Sequence, residues 1–157
     1  MRSSETLRVR LWSLRKIPLL WFTAPSVAEL DDHRAVVRIR LRRRTRNHLG
    51  SMYFGALCIG ADTAGGLIAM RAIEQTGGGV ALIFKDFQAE FLRRAEGDVA
   101  FTCDQGEAIR ELVSLARASG EREEMTVRVV ATVPELLGDE PVARFTLTLS
   151  LRRRGER

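Results

Sequence analysis

The stretch NHLGSMYFGALCIGADTAGGLIAMRAIEQT, residues 47–76, decides the fold of this chain. From Phe54 to Ile73 nearly every residue is small or apolar, and the only charged residues are Asp62 and Arg71. Apolar content that continues over about five helical turns predicts a helix buried on most of its sides. The rest of the chain must therefore supply a surface that covers this helix.

The predicted helix contains four glycines: Gly55, Gly60, Gly65 and Gly66. Each of them weakens a helix by about 0.5–1 kcal/mol relative to alanine, so we expect another segment of backbone to approach the helix closely where they lie. Three further glycines at residues 77–79 predict its C-terminal end, because glycine adopts the left-handed conformation that ends helices.

Asp62 is the most informative residue of the segment, because a carboxylate among apolar residues costs free energy unless another group pairs with it. Two interpretations stay open: a hydrogen-bonded residue at an interface, or a catalytic acid whose surroundings shift its pKa. Cys58 lies one turn earlier, and a cysteine in a buried helix is typical of a core residue.

The composition predicts a single globular domain with a sizeable core: the chain has 157 residues, 45% of them hydrophobic and 29% charged. Outside the central helix no apolar run is long enough to span a bilayer, and residues 1–16 do not form a secretory signal, so we expect a cytoplasmic protein without a membrane partner. Cys58 and Cys103 should be free thiols. His33 and His48 have no cysteine nearby, so no metal site is predicted.

The net charge of +5 and the pI of about 10.2 raise the hypothesis of an anionic partner. Nucleic acid, a phosphorylated cofactor such as coenzyme A, and a basic surface without a ligand are the alternatives. The arginines concentrate just before the central segment, where we expect them to be exposed: Arg38, Arg40, Arg42, Arg43, Arg44 and Arg46. Aromatic residues make up only 6% of the chain, and none is interleaved with these arginines, so nucleic acid is an unlikely partner.

Periodicity at the N-terminus predicts an amphipathic helix within residues 1–18, followed by a single domain of residues 19–157. Its apolar positions recur every three or four residues, at Leu7, Leu11, Leu14 and Ile17. Pro18 should end this helix, and residues 19–30 should be largely extended.

Alternation of apolar and polar residues predicts strands in the rest of the chain, at residues 34–45, 80–93, 99–103, 125–133 and 142–152. The motif DQGE at residues 104–107 predicts a capping box, with Asp104 as the N-cap of a helix that ends at Gly120. Because the strands follow one another without crossovers, the fold class is α+β with an antiparallel sheet, which must curve around the central helix.

The central motif resembles the signature of the hotdog-fold thioesterases of the phenylacetate-pathway type. It reads Asn47-x-x-Gly50-x-x-Tyr53-Phe54-Gly55-Ala56, followed by Ala61-Asp62-Thr63-Ala64. In that family an asparagine, His-Gly-Gly and Ala-Asp recur at this spacing, so Asp62 falls at the position of the catalytic acid. The resemblance covers residues 20–153 and implies a hotdog fold, in which a curved antiparallel sheet wraps a long helix. It is nearest to an uncharacterised branch, a domain-of-unknown-function family.

The resemblance implies hydrolysis of an acyl-CoA or acyl-carrier-protein thioester without a cofactor. Asp62 would activate the attacking water with help from Asn47, and the backbone N–H of Gly55 would stabilise the oxyanion. The implied assembly is a homodimer, or a tetramer built from such dimers, whose active site lies between two subunits. Arg43, Arg44 and Arg46 would then bind the phosphates of coenzyme A.

The sequence departs from the family at two positions, where Tyr53 replaces the histidine and Phe54 replaces the first glycine. This departure keeps a second hypothesis open, in which the protein is a non-catalytic acyl-CoA-binding module on the same fold. A third hypothesis, a nucleic-acid binder, is supported by net charge alone.

Overall fold

The structure is a computed structural model that describes residues 2–155, with the side chains from residue 4 onward. The described helices are α1 (Arg2–Lys16), α2 (Pro18–Thr23), α3 (Phe54–Gln75), α4 (Gly106–Ser119) and α5 (Pro134–Leu137). The described strands are β1 (Ser26–Leu30), β2 (Ala35–Ile39), β3 (Val80–Phe91), β4 (Val99–Cys103), β5 (Arg122–Thr132) and β6 (Pro141–Arg153).

All six strands join one antiparallel sheet in the order β1-β2-β4-β5-β6-β3. The register places Phe101 opposite Val37 on one side and Ala131 on the other, and all three side chains are fully buried. The strands β1 and β3 form the two edges of the sheet. The predicted α+β class and the antiparallel sheet are confirmed.

The helix α3 packs on this sheet and forms the centre of the core, as predicted. Its length and composition would suffice to cross a membrane, but 67% of its most apolar window is buried inside the protein, as expected of a core helix. Gly77, Gly78 and Gly79 follow it with φ angles of 85°, 76° and 78°. These angles lie in the left-handed region that glycine tolerates, so the predicted end of the helix is confirmed.

Within this chain the glycines of α3 lie against side chains rather than backbone, so the prediction of backbone approach was wrong. Gly60, Gly65 and Gly66 face side chains of the sheet, and Gly55 faces the ring of Tyr53. A Cβ on Gly60 would overlap the ring of Phe101, which is fully buried. A Cβ on Gly65 would lie 3.5 Å from a methyl group of Val127, an ordinary contact distance. Gly60 is therefore required by packing, whereas Gly65 is not.

The strand β2 ends at Ile39, earlier than the prediction of residue 45. Beyond it the backbone pairs with side chains instead of with a neighbouring strand: the N–H of Leu41 donates to Asp98 Oδ1 at 2.8 Å, and the hydroxyl of buried Thr45 donates to the carbonyl of Arg40 at 2.7 Å. The arginine-rich residues 42–46 therefore form a turn, here called the arginine turn. Its arginines are all exposed, as expected.

The helix α4 does not begin with the predicted capping box. Gln105, rather than Asp104, is the N-cap residue, and no side chain caps the helix. The side-chain oxygen of Gln105 instead accepts the N–H of Arg128 at 2.6 Å, and the N–H of Gly106 donates to the carbonyl of His33 at 3.0 Å. The end of the helix at Gly120, with φ 72°, agrees with the prediction.

Pro18 begins a second helix instead of an extended segment, because proline fits the first position of a helix, where its missing N–H is not needed. The predicted helix α1 is present, but its leucine face points away from the domain. It buries Val9 and Ser13, whereas Leu7, Leu11 and Leu14 are exposed.

Candidate active site at the start of the central helix

The loop that leads into α3 is held in place by backbone hydrogen bonds at three points. The N–H of Asn47 donates to the carbonyl of Ser51, that of Met52 to the carbonyl of Ala95, and that of Tyr53 to the carbonyl of Thr45, each at 2.8 Å. The loop is thus tied to itself, to the segment after β3 and to the arginine turn. This bracing fixes the position of the first turn of α3.

The side chain of Asn47 shapes this loop. Its Oδ1 accepts the N–H of Leu49 at 2.9 Å, and its Nδ2 donates to Ser51 Oγ at 3.1 Å. Gly50 completes the turn with φ 84°. A carboxamide nitrogen carries two hydrogens, so the second hydrogen of Nδ2 has no acceptor among the residues that the structure describes. Asn47 therefore positions the loop and keeps one donor for a ligand.

The first turn of α3 presents two unused backbone donors. The N-cap residue Tyr53 is extended and makes no side-chain cap, and its carbonyl accepts the N–H groups of Ala56 and Leu57 at 2.9 and 3.1 Å. The N–H groups of Phe54 and Gly55 donate to no acceptor in the described part of the chain. A helix N-terminus with free N–H groups favours a negative charge, so these donors can stabilise an oxyanion.

The ring of Tyr53 lies across the first turn of the helix. It packs so close to Gly55 that a Cβ at this position would collide with it. The ring of Phe54 lies 4.7 Å from that of Tyr53 and 6.3 Å from that of Phe91, measured between centroids. These aromatic side chains therefore form an apolar wall beside the two free N–H groups.

A cleft of about 340 Å³ opens at this wall. Its lining comes from the loop, the first turn of α3, the end of β3 and the segment after β3: Asn47, His48, Ser51, Met52, Tyr53, Phe54, Leu57, Phe91, Arg93, Arg94 and Ala95. The cleft thus brings the predicted residues Asn47 and Tyr53 together, next to the start of α3. It combines an apolar lining with a basic edge.

The sequence motifs do not predict the site residues Phe91, Arg93 and Arg94. They lie about forty residues after the loop, and only the antiparallel sheet brings the end of β3 back to it. A signal did exist in the sequence, since Phe91, an aromatic residue near the end of a predicted strand, is followed by Leu92 and then by two arginines. Arg93 forms an ion pair with Glu140 at 2.6 Å, and Arg94 forms one with Glu96 at 3.5 Å.

Asp62 does not line this cleft, although it lies on the same helix. Burial raises the pKa of its carboxyl group above the ordinary value for aspartate. It forms no hydrogen bond or ion pair with the residues that the structure describes. Arg71, the other charge in the apolar segment, is paired with Asp32 at 3.0 Å. Asp62 is therefore a partly buried base that the fold of one chain leaves without a partner.

Cys58, one turn before Asp62 on α3, does not compete with it as the reactive group. Burial raises the pKa of the Cys58 thiol, so less of the nucleophilic thiolate is present near neutral pH.

The predicted phosphate-binding arginines lie away from the cleft. Arg43 and Arg44, together with Arg42, line a separate and open depression of the surface. Arg46 lines neither that depression nor the cleft. The cleft has its own basic residues, Arg93 and Arg94, so two separate groups of arginines are available to an anionic ligand.

Comparison of the sequence with protein families gives a match over residues 8–151 with the family described as "Domain of unknown function (DUF4442)". Among curated proteins, no sequence matches the chain.

Several solved structures share the fold. A protein of unknown function from Pseudomonas aeruginosa, described as a probable thioesterase, is 25% identical, with a TM-score of 0.78 over 95% of this chain and 96% of its own. A protein of unknown function from Chlorobaculum tepidum is 9% identical, with a TM-score of 0.83 over 98% and 97%. A thioesterase from Haemophilus influenzae is 17% identical, with a TM-score of 0.69 over 93% and 90%. The last two likenesses concern the fold alone, and together the three confirm the hotdog architecture.

Proposed function

Because the chain belongs to the DUF4442 family and has the hotdog fold, we propose that it hydrolyses acyl thioesters of coenzyme A or of an acyl carrier protein. The observation that carries the proposal is the pair of free N–H groups at Phe54 and Gly55, beside an apolar cleft. A thioester carbonyl placed there would gain a hydrogen-bond donor for the oxyanion that forms in the tetrahedral intermediate. The probable thioesterase from Pseudomonas aeruginosa gives further support.

In this mechanism Asp62 acts as the general base. Its carboxylate removes a proton from water as the water attacks the thioester carbon, and the thiolate of coenzyme A then leaves and takes up a proton. Burial serves this role, because a carboxylate with a raised pKa binds the proton more strongly. Asn47 would orient the substrate or the water with its remaining amide hydrogen.

The mechanism requires a second subunit, because Asp62 lies outside the cleft of its own chain. We propose a two-fold homodimer in which Asp62 of one subunit completes the cleft of the other. The edge strand β3 supports this assembly, since it is paired on one side only and, together with the residue after it, exposes four large apolar side chains: Ile83, Phe87, Phe91 and Leu92. An exposed apolar edge strand normally pairs with another strand or is covered by another segment of protein. The Phe91 ring then connects the dimer seam to the cleft.

The arginines at the edge of the cleft are the best candidates for binding coenzyme A. Arg93 and Arg94 line the cleft itself, whereas the predicted Arg43 and Arg44 lie in a separate depression. We propose that Arg93 and Arg94 bind the phosphates nearest the thioester, and that Arg43, Arg44 and Arg46 provide further positive charge. A charge-reversed Arg93→Glu variant should then raise KM more than it lowers kcat.

The test is thiol release from a panel of acyl-CoA esters that differ in chain length and in aromatic content. Asp62→Asn should lower kcat by roughly 10²–10⁴-fold, the usual contribution of a positioned general base, while the dimer and the fold are kept. Asp139→Asn is the matched control, because Asp139 is exposed and lies outside the cleft. If Asp62→Asn hydrolyses as fast as the parent, Asp62 is a structural residue.

The second candidate function, a non-catalytic acyl-CoA-binding module, is favoured by the position of Tyr53. Its ring lies against Gly55, next to the proposed oxyanion donors, where the related enzymes have a histidine. Under this alternative the parent binds acyl-CoA, measured by calorimetry, but releases no thiol. Release that appears in Tyr53→His, and is absent from the parent, would establish the alternative.

A further inference from the structure

The two N-terminal helices carry an exposed apolar surface that the proposed reaction does not use. Eight of the seventeen large hydrophobic side chains that are exposed in the described residues belong to α1, α2 and their junction. They are Leu7, Leu11, Trp12, Leu14, Ile17, Leu19, Trp21 and Phe22. So high a concentration within sixteen residues indicates a binding surface rather than scattered exposure.

The orientation of α1 is the reverse of what a domain normally requires. Leu7, Leu11 and Leu14 follow one another at intervals of four and three residues, so they share one face of the helix, and they are 58%, 57% and 48% exposed. The opposite face buries Ser13 completely, together with Val9. A surface helix usually turns its leucines toward the core. The leucine face of α1 is therefore directed at something outside the domain.

Specific contacts hold α1 in this orientation. Thr6 Oγ1 accepts the N–H of Val27 at 2.9 Å, and Arg10 donates to the carbonyls of Ala24 and Pro25 at 3.2 and 3.1 Å. Arg8 forms an ion pair with Glu74 of α3 at 3.0 Å. Rotation of the helix to bury its leucines would break all of these contacts. The exposure of the leucines is thus built into the fold.

The exposed charged side chains of α1 and α2 are all basic, and the acidic residue of this stretch, Glu5, is partly buried and paired with Arg8 at 3.3 Å. Among residues 4–23 the exposed charged side chains are Arg8, Arg15 and Lys16, and no exposed residue in this range is acidic. Arg15 and Lys16 make no ion pair or hydrogen bond with the residues that the structure describes. Apolar side chains flanked by unpaired cations are complementary to a surface that offers both acyl chains and phosphates.

The tryptophans point to the same partner. The chain has two, Trp12 and Trp21, and both are exposed on these helices. Tryptophan is favoured at the boundary between lipid headgroups and acyl chains, because its ring is apolar and its N–H can remain hydrated.

We propose that α1 and α2 dock on the surface of a bilayer that contains anionic phospholipids. The leucine face of α1 and the apolar residues of α2 enter the boundary between headgroups and acyl chains, while Arg15 and Lys16 contact the lipid phosphates. This proposal departs from the expectation of no membrane partner. That expectation rested on the absence of a spanning segment outside the core helix, and docking on the surface requires no such segment. A second copy of this chain fits less well, because in a two-fold contact the same surface would face Arg15 and Lys16, and that surface offers no exposed acidic side chain within residues 4–23.

The experiment uses the full chain with two kinds of vesicle, one of phosphatidylcholine alone and one of phosphatidylcholine mixed with phosphatidylglycerol. Because both tryptophans lie on the proposed surface, their fluorescence reports on it directly. With the anionic vesicles we expect a blue shift of the tryptophan emission and co-sedimentation of the protein. The affinity for the neutral vesicles should be at least about 10-fold lower. Added salt should weaken the binding.

Two double variants test which residues are responsible. Leu11→Gln with Leu14→Gln should remove vesicle binding, whereas the control Leu115→Gln with Leu136→Gln, at positions that are 51% and 62% exposed on α4 and α5, should retain it. Circular dichroism checks that each variant folds. If the leucine variant fails to fold, Arg15→Glu with Lys16→Glu replaces it and should lose binding to anionic vesicles.

Three results would overturn the proposal. The first is a parent protein that does not bind the anionic vesicles. The second is an equal loss of binding in the control variant. The third is a smaller oligomer for the leucine variant in sedimentation velocity with vesicle binding unchanged, which would show that a second copy covers the surface. Thiol release by the parent in solution is measured separately, so the docking proposal and the proposed hydrolase activity can fail independently.

Discussion

The substitution Gly60→Ala tests the packing that positions the central helix. Gly60 lies against the ring of Phe101, and a new Cβ would overlap three atoms of that ring. Phe101 cannot move aside easily, because it is fully buried between Val37 and Ala131 of the neighbouring strands, which are also fully buried. The helix and the sheet must separate locally, which typically costs about 1–3 kcal/mol for an overpacked core.

The alanine also brings a gain, because it favours the helix by about 0.5–1 kcal/mol over glycine. With the middle of each range, the net effect is a loss of about 1 kcal/mol, which lowers the melting temperature by roughly 2–4 °C in a chain of this size. Thermal unfolding followed by circular dichroism measures it. The matched control is Gly65→Ala on the same helix, where the new Cβ would lie 3.5 Å from Val127 and 3.9 Å from Val129.

We expect Gly65→Ala to keep or raise the melting temperature, because it gains helix propensity without a collision. The difference between the two alanine variants therefore isolates the contact with Phe101. If Gly60→Ala is as stable as Gly65→Ala, the ring of Phe101 does not lie over Gly60, and the described packing of α3 on the sheet is wrong.

Two further predictions concern Asp62 and the dimer. Burial raises the pKa of Asp62, so the folded state binds this proton more tightly than the unfolded chain does, and the ionised carboxylate destabilises the fold at high pH. Asp62→Asn should therefore raise the melting temperature more at about pH 7 than at about pH 4. An equal effect at both pH values would contradict the raised pKa of Asp62. Ile83→Lys, on the exposed edge of β3, should convert the proposed dimer to a monomer in sedimentation velocity, because a lysine on an edge strand opposes pairing. The control Leu115→Lys, at another exposed leucine, should leave the dimer intact.

The candidate site was partly predictable, because part of it is contiguous in sequence. Asn47, Tyr53 and Gly55 are close along the chain, and the structure places the first two on one cleft and the third at its edge. The other lining residues, such as Phe91 at the end of β3 and Arg93 just after it, are distant in sequence. The completion of the site by Asp62 of a second subunit stays a prediction, because that arrangement depends on a contact between chains.

What the sequence determined by itself is the set of elements whose signals are local. The apolar run that became α3 and the alternation that became β4, β5 and β6 each reflect a periodicity of burial, which a short window of residues displays. The glycines at residues 77–79 mark the end of α3 for a similarly local reason, since only their own φ angles matter. These parts of the fold were correctly predicted because no contact with a distant residue changes their local conformation.

The tertiary structure alone decided features in which distant groups compete for the same atoms. The carbonyl of His33 accepts a hydrogen bond from the N–H of Gly106, so this N–H is not available to Asp104, and Asp104 does not cap α4 as its motif predicts. Contacts of Thr6 and Arg10 with the segment 24–27 turn the leucines of α1 outward, against the expectation for an amphipathic helix. In both places a hydrogen bond between residues far apart in sequence outweighs a local preference of about 1 kcal/mol or less, and such bonds exist only once the chain has folded.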